Sequence, residues 1–533
     1  MQKPIQYVGG ELNSTVKDWD SADVRWALMY PDAYEVGLPN QGVAILYEIL
    51  NELPGTLAER TYAVWPDLEA LMRAEGVPQF TVDAHRPVRA FDVLGVSFST
   101  ELGYTNMLTA LDLAGIPLLA VDRGEDDPIV LAGGHAAFNP EPIADFLDAA
   151  VLGDGEQISI AISEVIREWK AEGRPGGRDE LLMRLAESGG VYVPKFYDVE
   201  YHADGRIKRV APNRPDVPWR VHKHTVMDLD EWPYPKKPLV PLAETVHERF
   251  SVEIFRGCTR GCRFCQAGMI TRPVRERSIT TIGAMVDNGV KQSGFNEVGL
   301  LSLSSADHSE IGDIAKGLAD RYEGSNTSLS LPSTRVDAFN IDLANEFSRN
   351  GRRSGLTFAP EGGSERMRKV INKMVTEEDL IRTVTTAYSQ GWRQVKLYFM
   401  CGLPTEQDED VLGIADLAKK RSSRRAARRP AAATSAARSP SAGSSPSRTP
   451  RSSGPLRPTT RPSTGGSRHC ARRCGATRTT AALSATAITT ASRPSWRGCC
   501  RGATAGSGPS SGPSGRTAAV STGGASTSRT SAG

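Results

Sequence analysis

Three cysteines, Cys258, Cys262 and Cys265, lie within eight consecutive residues of the segment FRGCTRGCRFC. Thiolates bind iron–sulfur clusters well, and spacings of three and two intervening residues let one short loop surround a single compact cluster. A cubane contains four irons, so three cysteines leave one iron open to a further ligand. Gly257 and Gly261 allow the loop to turn tightly. The pattern predicts a [4Fe–4S] cluster on these three cysteines.

Two other interpretations of the cysteines stay open on spacing alone. The three side chains could be buried structural thiols, or they could bind zinc, which in structural sites takes four protein ligands. Cys401 and His308 are available as a fourth ligand, but neither is near in sequence. No catalytic acid, base or nucleophile is indicated by the sequence.

The distribution of cysteines and apolar residues indicates the compartment. Only four of the eight cysteines precede residue 421, and three of those are the clustered ones, whereas disulfide frameworks spread their cysteines along a small secreted chain. No early basic stretch is followed by an apolar run, and no run of about 18 apolar residues occurs. The sequence therefore predicts a cytoplasmic protein with neither a signal peptide nor a membrane span.

The charges are segregated along the chain. Residues 421–533 contain 19 of the 64 basic residues and none of the 62 acidic ones, so residues 1–420 carry 45 basic against 62 acidic side chains. The net charge of +2 hides an acidic body. Such a body does not indicate broad nucleic-acid binding.

The elements that must position the cysteines form two series of alternating strands and helices. Residues 1–165 predict a doubly wound, Rossmann-like α/β domain. Residues 166–245 form a connector with a predicted hairpin, and residues 246–420 predict a partial (β/α) barrel whose active site lies at the carboxyl ends of its strands. The predicted strands are Val24–Tyr30, Leu57–Val64, Val93–Phe98 and Pro128–Ala132, the hairpin pair Val191–Tyr201 and Arg206–Val210, and Val252–Phe255, Glu297–Leu303, Ser328–Leu331, Gly355–Phe358 and Gln394–Met400.

The cysteine spacing, with the aromatic Phe264 before the last cysteine, resembles the signature of the radical S-adenosylmethionine (SAM) superfamily. The resemblance implies that SAM binds the open iron, that an electron from the cluster cleaves it, and that flavodoxin or ferredoxin supplies that electron. It also implies SAM contacts at the strand ends. The candidates are Phe264, Ser304, Ser305, Ser333, Arg335 and Glu361.

Residues 1–165 resemble the cobalamin-binding domains that often precede such barrels. Those domains carry Asp-x-His-x-x-Gly after the first strand, and this chain has Asp32, Tyr34 and Gly37 there, so Tyr34 replaces the histidine that can ligate cobalt. Ser99, Gly133 and Gly134 fit the later parts of the pattern. The resemblance implies cobalamin as a candidate second cofactor. The alternative is a degenerate domain that only covers the barrel.

Residues 1–420 as a whole resemble an uncharacterised family of cobalamin-domain radical SAM proteins, through the stretches PDAYEVGL, SFSTELGYTNML and APEGGSERMRKVINK. The expected function is a radical SAM enzyme of unknown substrate. One alternative is a methylthiotransferase-like enzyme acting on tRNA or protein, although its usual second cysteine cluster is not visible. Another is a non-enzymatic zinc-binding or nucleic-acid-binding protein.

Residues 421–533 differ from the rest, being mostly Ala, Arg, Gly, Pro, Ser and Thr. Such a stretch cannot bury a core and is predicted to be disordered. Its composition is also what a GC-rich gene gives when read out of frame. A shift of one base makes residues 435–457 compatible with VRCTVSVGGFVPKPHTPFQWAAQ, which looks globular. We predict a frameshift near Lys420; a genuine disordered tail is the alternative.

Overall fold

The computed structural model describes residues 1–332, 335–336, 341–349, 356–389, 392, 395–427 and 487–489. Its amino-terminal part is a six-stranded sheet in the order β2-β1-β3-β4-β5-β6, parallel except for the last pair. This arrangement confirms the predicted α/β class. The elements are β1 (Val24–Tyr30), α1 (Tyr34–Gly37), α2 (Gln41–Glu52), β2 (Thr56–Tyr62), α3 (Pro66–Glu75), β3 (Val93–Ser97), α4 (Tyr104–Ala114), β4 (Ile129–Gly133), β5 (Ala149–Val151), α5 (Glu156–Ala171), α6 (Gly177–Glu187) and β6 (Val191–Tyr192).

Helices cover both faces of this sheet because both faces are apolar. On β1, Trp26 and Leu28 pack in one core with α2, α5 and α6, while Ala27 and Met29 pack in a second core with α4. Successive side chains of a strand point to opposite faces, so one short run of apolar residues serves both cores. The parallel strands all end at one edge, which is where ligands bind in such sheets.

The connector runs from this sheet to the barrel. The predicted strand over residues 191–201 is divided in two, because Pro194 begins a 3-10 turn that interrupts it. The first piece is β6, which joins the sheet edge, and the second pairs with its neighbour as the expected hairpin. The hairpin strands are β7 (Tyr197–Tyr201) and β8 (Ile207–Pro212).

The carboxyl-terminal part repeats the strand–helix alternation. Two three-stranded parallel sheets form, in the orders β13-β12-β9 and β14-β15-β16, and β10 pairs with β11 as a small ribbon beside the cysteines. The elements are β9 (Phe250–Glu253), β10 (Phe255–Arg256), α7 (Ala267–Ile270), β11 (Arg275–Glu276), α8 (Ile279–Ser293), β12 (Glu297–Leu301), α9 (Ile311–Arg321), β13 (Ser328–Ser330), α10 (Ile341–Arg349), β14 (Leu356–Glu361), α11 (Glu365–Val370), α12 (Glu377–Ser389), β15 (Val395–Cys401), α13 (Asp408–Ala427) and β16 (Ala487–Thr489).

Most of the tail for which disorder and a frameshift are predicted lies outside the described residues. The exceptions are the end of α13, which continues past Lys420 to Ala427, and β16, which pairs with Phe399–Cys401 of β15. Among the helices within the described ranges, none is long and apolar enough to cross a membrane.

Candidate functional site

The cysteine loop, residues 257–265, directly follows β10. It thus lies just beyond the carboxyl end of β9, the first strand of the barrel. Gly257 has φ +102°, and a Cβ there would lie 2.6 Å from the Pro273 carbonyl oxygen, so only glycine fits. Gly261 has φ +71°, the left-handed region that glycine adopts without strain. The two glycines thus produce the tight turns that bring Cys258 and Cys262 into one short loop.

The thiols sit among backbone donors. The Arg260 amide donates to Cys258 Sγ at 3.5 Å, and the Gly268 amide donates to Cys265 Sγ at 3.3 Å. A Cβ on Gly268 would lie 3.5 Å from Cys265 Sγ and 3.8 Å from Cys258 Cβ, so these two cysteines flank one glycine. Amide donors to sulfur suit thiolate ligands, whose clusters are tuned by such hydrogen bonds. Within the described ranges, no three His, Cys, Asp or Glu side chains converge on a common metal position.

The two residues considered as a fourth zinc ligand differ in availability. Both ring nitrogens of His308 are engaged, since Nε2 lies 3.2 Å from the Arg277 carbonyl oxygen and Nδ1 accepts from the Glu310 amide at 3.1 Å. The ring is also buried. Cys401 ends β15 and has its sulfur in the reduced thiol form. The zinc interpretation would therefore depend on Cys401.

The SAM candidates after β12 are turned inward. Ser305 Oγ donates to the Leu300 carbonyl at 3.0 Å, and Ser304 Oγ donates to Asp307 at 2.7 Å. Both serines are buried, Ser305 as the first residue of a 3-10 turn over Ser305–Asp307 and Ser304 directly before it. Ser302 and Leu303, rather than these two serines, line the cavity between the amino-terminal sheet and the cysteine loop.

Asp307 links this strand end to the cysteine loop, and sequence reasoning did not single it out. Arg260, between Cys258 and Cys262, forms an ion pair with its carboxylate. Burial opposes ionisation, but hydrogen bonds from Arg260 and Ser304, and the charges of Arg260 and Arg335, hold the pKa of Asp307 below its usual value. The signal available in the sequence was an acidic residue just beyond a strand end.

Of the remaining SAM candidates, Phe264 is part of the cysteine loop, Arg335 lies close enough to Asp307 for its charge to act on that carboxylate, and Ser333 lies outside the described residues. Glu361 is linked to the loop through Lys373. Phe264 is 40% exposed, and its ring centroid lies 6.0 Å from Lys373 Nζ. Lys373 also donates to the Glu361 carboxylate at 3.0 Å. Glu361 has φ +69°, a conformation that is costly for a residue with a side chain and that concentrates at functional sites.

A cavity of about 430 Å³ lies between the amino-terminal sheet and the cysteine loop. One end enters the space between the sheet and helices α2 and α5, and the other end reaches Arg256 and Gly257. Ser99, Gly133 and Gly134 line it, as the cobalamin resemblance implies. His135, which follows the two glycines in sequence, also lines it. So do the connector residues Lys223 and His224, which the sequence did not indicate.

Three of the cobalamin candidates lie outside this cavity. Tyr34 is 1% exposed and its ring packs edge-on against Tyr62 at 5.5 Å, which buries the hydroxyl and raises the pKa of the phenol. A Cβ on Gly37 would lie 2.5 Å from the Tyr62 ring, so Gly37 serves this packing. Asp32 borders a separate groove beside α3. The cavity wall therefore does not include the position where the histidine of the resembled domains stands.

Buried ion pairs join the two parts of the molecule beside the cavity. Arg256 lies two residues before Cys258 and pairs with Glu253, Glu156 and Asp154. Arg275 of β11 also pairs with Asp154. Burial by itself would raise the pKa of Asp154, but the charges of the two arginines outweigh it and hold the pKa below its usual value. The loop at the carboxyl end of β5 is thereby fixed to the cysteine loop.

Asp154→Asn is expected to destabilise the protein by about 3 kcal/mol at neutral pH, because it leaves buried arginine charge without its partner. A depressed carboxyl pKa contributes stability above the unfolded-state pKa of about 3.9 and loses it as the pH falls through the lower folded-state pKa. Denaturant unfolding should show the difference from the parent shrinking below about pH 4. Asp204→Asn, which removes an exposed pair with Arg206, should change stability little. Equal effects of the two substitutions would contradict this assignment.

Comparison with known proteins gives the family of both parts of the chain. Residues 42–194 match the model of radical SAM proteins, N-terminal, and residues 252–418 match the model of the radical SAM superfamily. An uncharacterized protein of Methanocaldococcus jannaschii is 28% identical over 398 residues, covering 74% of this chain and 73% of that protein.

Two solved structures are similar to this chain at low sequence identity. The radical SAM methyltransferase TsrM from Kitasatospora setae, with cobalamin and a [4Fe–4S] cluster bound, has a TM-score of 0.49 at 13% identity, covering 75% of this chain and 73% of that chain. The cobalamin-dependent SAM radical enzyme OxsB, with aqua-cobalamin and SAM bound, has a TM-score of 0.47 at 12% identity. The match covers 74% of this chain and 51% of the OxsB chain. The chain therefore contains a radical SAM superfamily domain over residues 252–418, preceded by a region that matches the amino-terminal part of radical SAM proteins.

Proposed function

We propose that this chain is a radical SAM enzyme whose [4Fe–4S] cluster is held by Cys258, Cys262 and Cys265. The observation that carries the proposal is the place of the cysteine loop, at the carboxyl end of the first barrel strand and next to the cavity. When bound, the cluster supplies one electron to the sulfonium of SAM, giving methionine and a 5′-deoxyadenosyl radical that takes hydrogen from a substrate. Flavodoxin or ferredoxin would donate the electron, in a cytoplasmic setting.

The chain's own residues hold and shield this site. Gly257 and Gly261 shape the loop, and backbone amides donate to the sulfur atoms of Cys258 and Cys265. Asp307 orients Arg260 beside the loop, and its carboxylate would also suit the amino group of SAM. Ser302 and Leu303 line the cavity at the end of β12. The apolar side chain of Leu303 would help to exclude water from reactive intermediates there.

The direct test is SAM cleavage by the protein as it exists. After anaerobic reconstitution with iron and sulfide, a chemical reductant should give 5′-deoxyadenosine from SAM, detectable by mass spectrometry. Iron, sulfide and zinc should be measured on the same sample. Stoichiometric zinc with no iron and no 5′-deoxyadenosine would overturn the proposal.

We propose in addition that the cavity binds cobalamin. The cavity occupies the carboxyl edge of a doubly wound sheet, where ligands of this fold bind, and it continues to the cysteine loop. Its inner end is bordered by Gly42, Gly133 and Gly155, which leave room for a flat group between the sheet and the helices. A cofactor seated there would lie against the radical SAM site and could take part in methyl transfer.

Gly133→Leu is expected to reduce cobalamin binding at least tenfold. A Cβ at Gly133 meets no atom within 4 Å, so the side chain should enter the cavity and fill it without straining the fold. Gly124→Leu is the matched control, since Gly124 also has open space around it and does not line the cavity. Equilibrium dialysis with hydroxocobalamin measures the difference. Tight binding by the Gly133 variant would place the cofactor elsewhere, and no binding by the parent would favour a degenerate domain.

A further inference from the structure

The segment Val370–Lys373 begins with the last residue of α11 and lies against the cysteine loop. The Arg263 amide donates to the Ile371 carbonyl at 3.0 Å, and the Arg263 guanidinium donates to the Val370 carbonyl at 2.7 Å. Asn372 Nδ2 donates to the Gly261 carbonyl at 2.8 Å. Three hydrogen bonds therefore hold the three residues from Gly261 to Arg263 against a segment more than 100 positions away.

Asn372 is placed for this contact by its own backbone. Its φ is +54°, a left-handed conformation that asparagine tolerates better than most residues. Its amide donates to the Lys369 carbonyl at 3.1 Å, which ends the preceding helix, and the neighbouring Ile371 is buried with Met367 and Leu403. The backbone is thus anchored on both sides, and the amide side chain is directed at the loop.

The contact acts at a sensitive point of the loop. Gly261 lies directly before Cys262, and glycine has the widest range of backbone conformations, so its carbonyl direction needs an external partner. Cys262 is buried at 9% exposure, whereas Cys258 and Cys265 are intermediate. A loop that lost the Asn372 contact would most easily change its path at Gly261, and Cys262 would become more exposed.

The next residue extends the same segment to a second strand end. Lys373 donates to Glu361 at the end of β14 and lies over the ring of Phe264 at 6.0 Å. Lys373 therefore contacts both the cysteine loop, at Phe264, and the end of β14, at Glu361. A displacement of the segment would reach both places together.

We propose that Asn372 is a positioning residue of the cysteine loop: its side-chain amide fixes the Gly261 carbonyl and thereby the turn that presents Cys262. The consequence for a bound cluster rests on the proposed function, whereas the placement of Cys262 in the metal-free protein does not. The two can be measured separately.

The decisive experiment compares Asn372→Gly with Asn13→Gly in the full chain. Both asparagines have left-handed backbones and donate to backbone carbonyls, but Asn13 bonds to Pro238 and Gln292, away from the loop. Glycine keeps the backbone conformation and removes only the side-chain donor. In the metal-free protein, alkylation of each cysteine is followed by mass spectrometry, with Cys401 as the internal reference for general loosening.

The ratio of the Cys262 alkylation rate to the Cys401 alkylation rate should rise about tenfold in Asn372→Gly, because one well-placed, partly buried hydrogen bond is lost. In Asn13→Gly the ratio should stay at the parent value. Asn372→Asp, which sets a carboxylate against the carbonyl, should raise it at least as much and decides the matter if the glycine variant folds poorly. A change below twofold in both, or an equal change in Asn13→Gly, would overturn the proposal.

The reconstituted protein gives the second readout. The electron paramagnetic resonance spectrum of the reduced cluster, and its change on adding SAM, should differ from the parent in Asn372→Gly and match it in Asn13→Gly. If the parent binds no iron, the proposed function fails, while the alkylation result still stands or falls by itself. A spectrum of Asn372→Gly identical to the parent in both states would show that Asn372 has no influence on the cluster.

Discussion

Replacing Cys258, Cys262 or Cys265 by Ala is expected to lower bound iron from about four atoms per chain to well below one, and to abolish 5′-deoxyadenosine formation. A cubane with only two protein thiolates loses one of the three bonds that hold it, so each cysteine should be essential by itself. The iron and sulfide contents should be measured after anaerobic reconstitution, together with the visible absorbance of the cluster. All three variants should behave alike.

The matched control is Cys401→Ala. Cys401 is a reduced cysteine in the same barrel but at the end of β15, so the iron content of this variant should equal that of the parent. A zinc site built from the three cysteines and Cys401 predicts the reverse, with metal lost in all four variants and zinc in the parent. His308 offers no alternative fourth ligand, because both of its ring nitrogens already have partners.

The cysteine loop and the strands around it could be predicted from sequence because they depend on local signals. Buried parallel strands give nearly continuous apolar runs such as Val24–Tyr30, which is interrupted only by Arg25 and which the structure has with the same bounds. The loop glycines are needed by the backbone itself, and the observed φ of +102° at Gly257 is the reason. Such requirements act over a few residues and are visible without the fold.

The direction of side chains at strand ends could not be predicted in the same way. Ser304 and Ser305 follow β12 as expected, but a short 3-10 turn points their hydroxyls inward and leaves Ser302 at the cavity. Tyr34 occupies the expected sequence position, yet the turn of α1 buries it against Tyr62. A shift of one residue in where a turn begins changes the direction in which each of its side chains points. The sequence carries no signal for where such a short turn begins.

Long-range partners were the other part that sequence could not supply. His224 reaches the cavity because its backbone pairs with Gly153, where a Cβ would lie 2.0 Å from the His224 carbonyl oxygen. Asn372 reaches the cysteine loop from 111 positions away. A glycine or an asparagine in a turn is compatible with many partners, and only the folded chain selects one.

The reading frame after Lys420 has the largest consequence for the molecule as a whole. β15 has β14 on one side, while on its other side β16 reaches only Phe399–Cys401 of a strand that begins at Val395. β16 therefore pairs with only the last three residues of β15, and weakly covered sheet edges promote aggregation. The string VRCTVSVGGFV, recovered by a shift of one base, has the alternating apolar pattern of a longer strand.

A version of the gene corrected by one base near codon 420 should therefore give a more soluble protein that cleaves SAM at least tenfold faster. The longer strand would cover β15 and close the barrel beside the site, so that a radical formed there would be shielded from water. The gene should first be sequenced across this region, and both proteins then compared for the soluble fraction, the iron content and the rate of 5′-deoxyadenosine formation. Asn13→Gly in the corrected protein controls for general changes in stability. Two results together would contradict this prediction: a nucleotide sequence that encodes residues 421–533 faithfully, and two proteins that are equally soluble and cleave SAM equally fast. The tail would then be a genuine part of the protein, and the barrel would not need the longer strand beside β15.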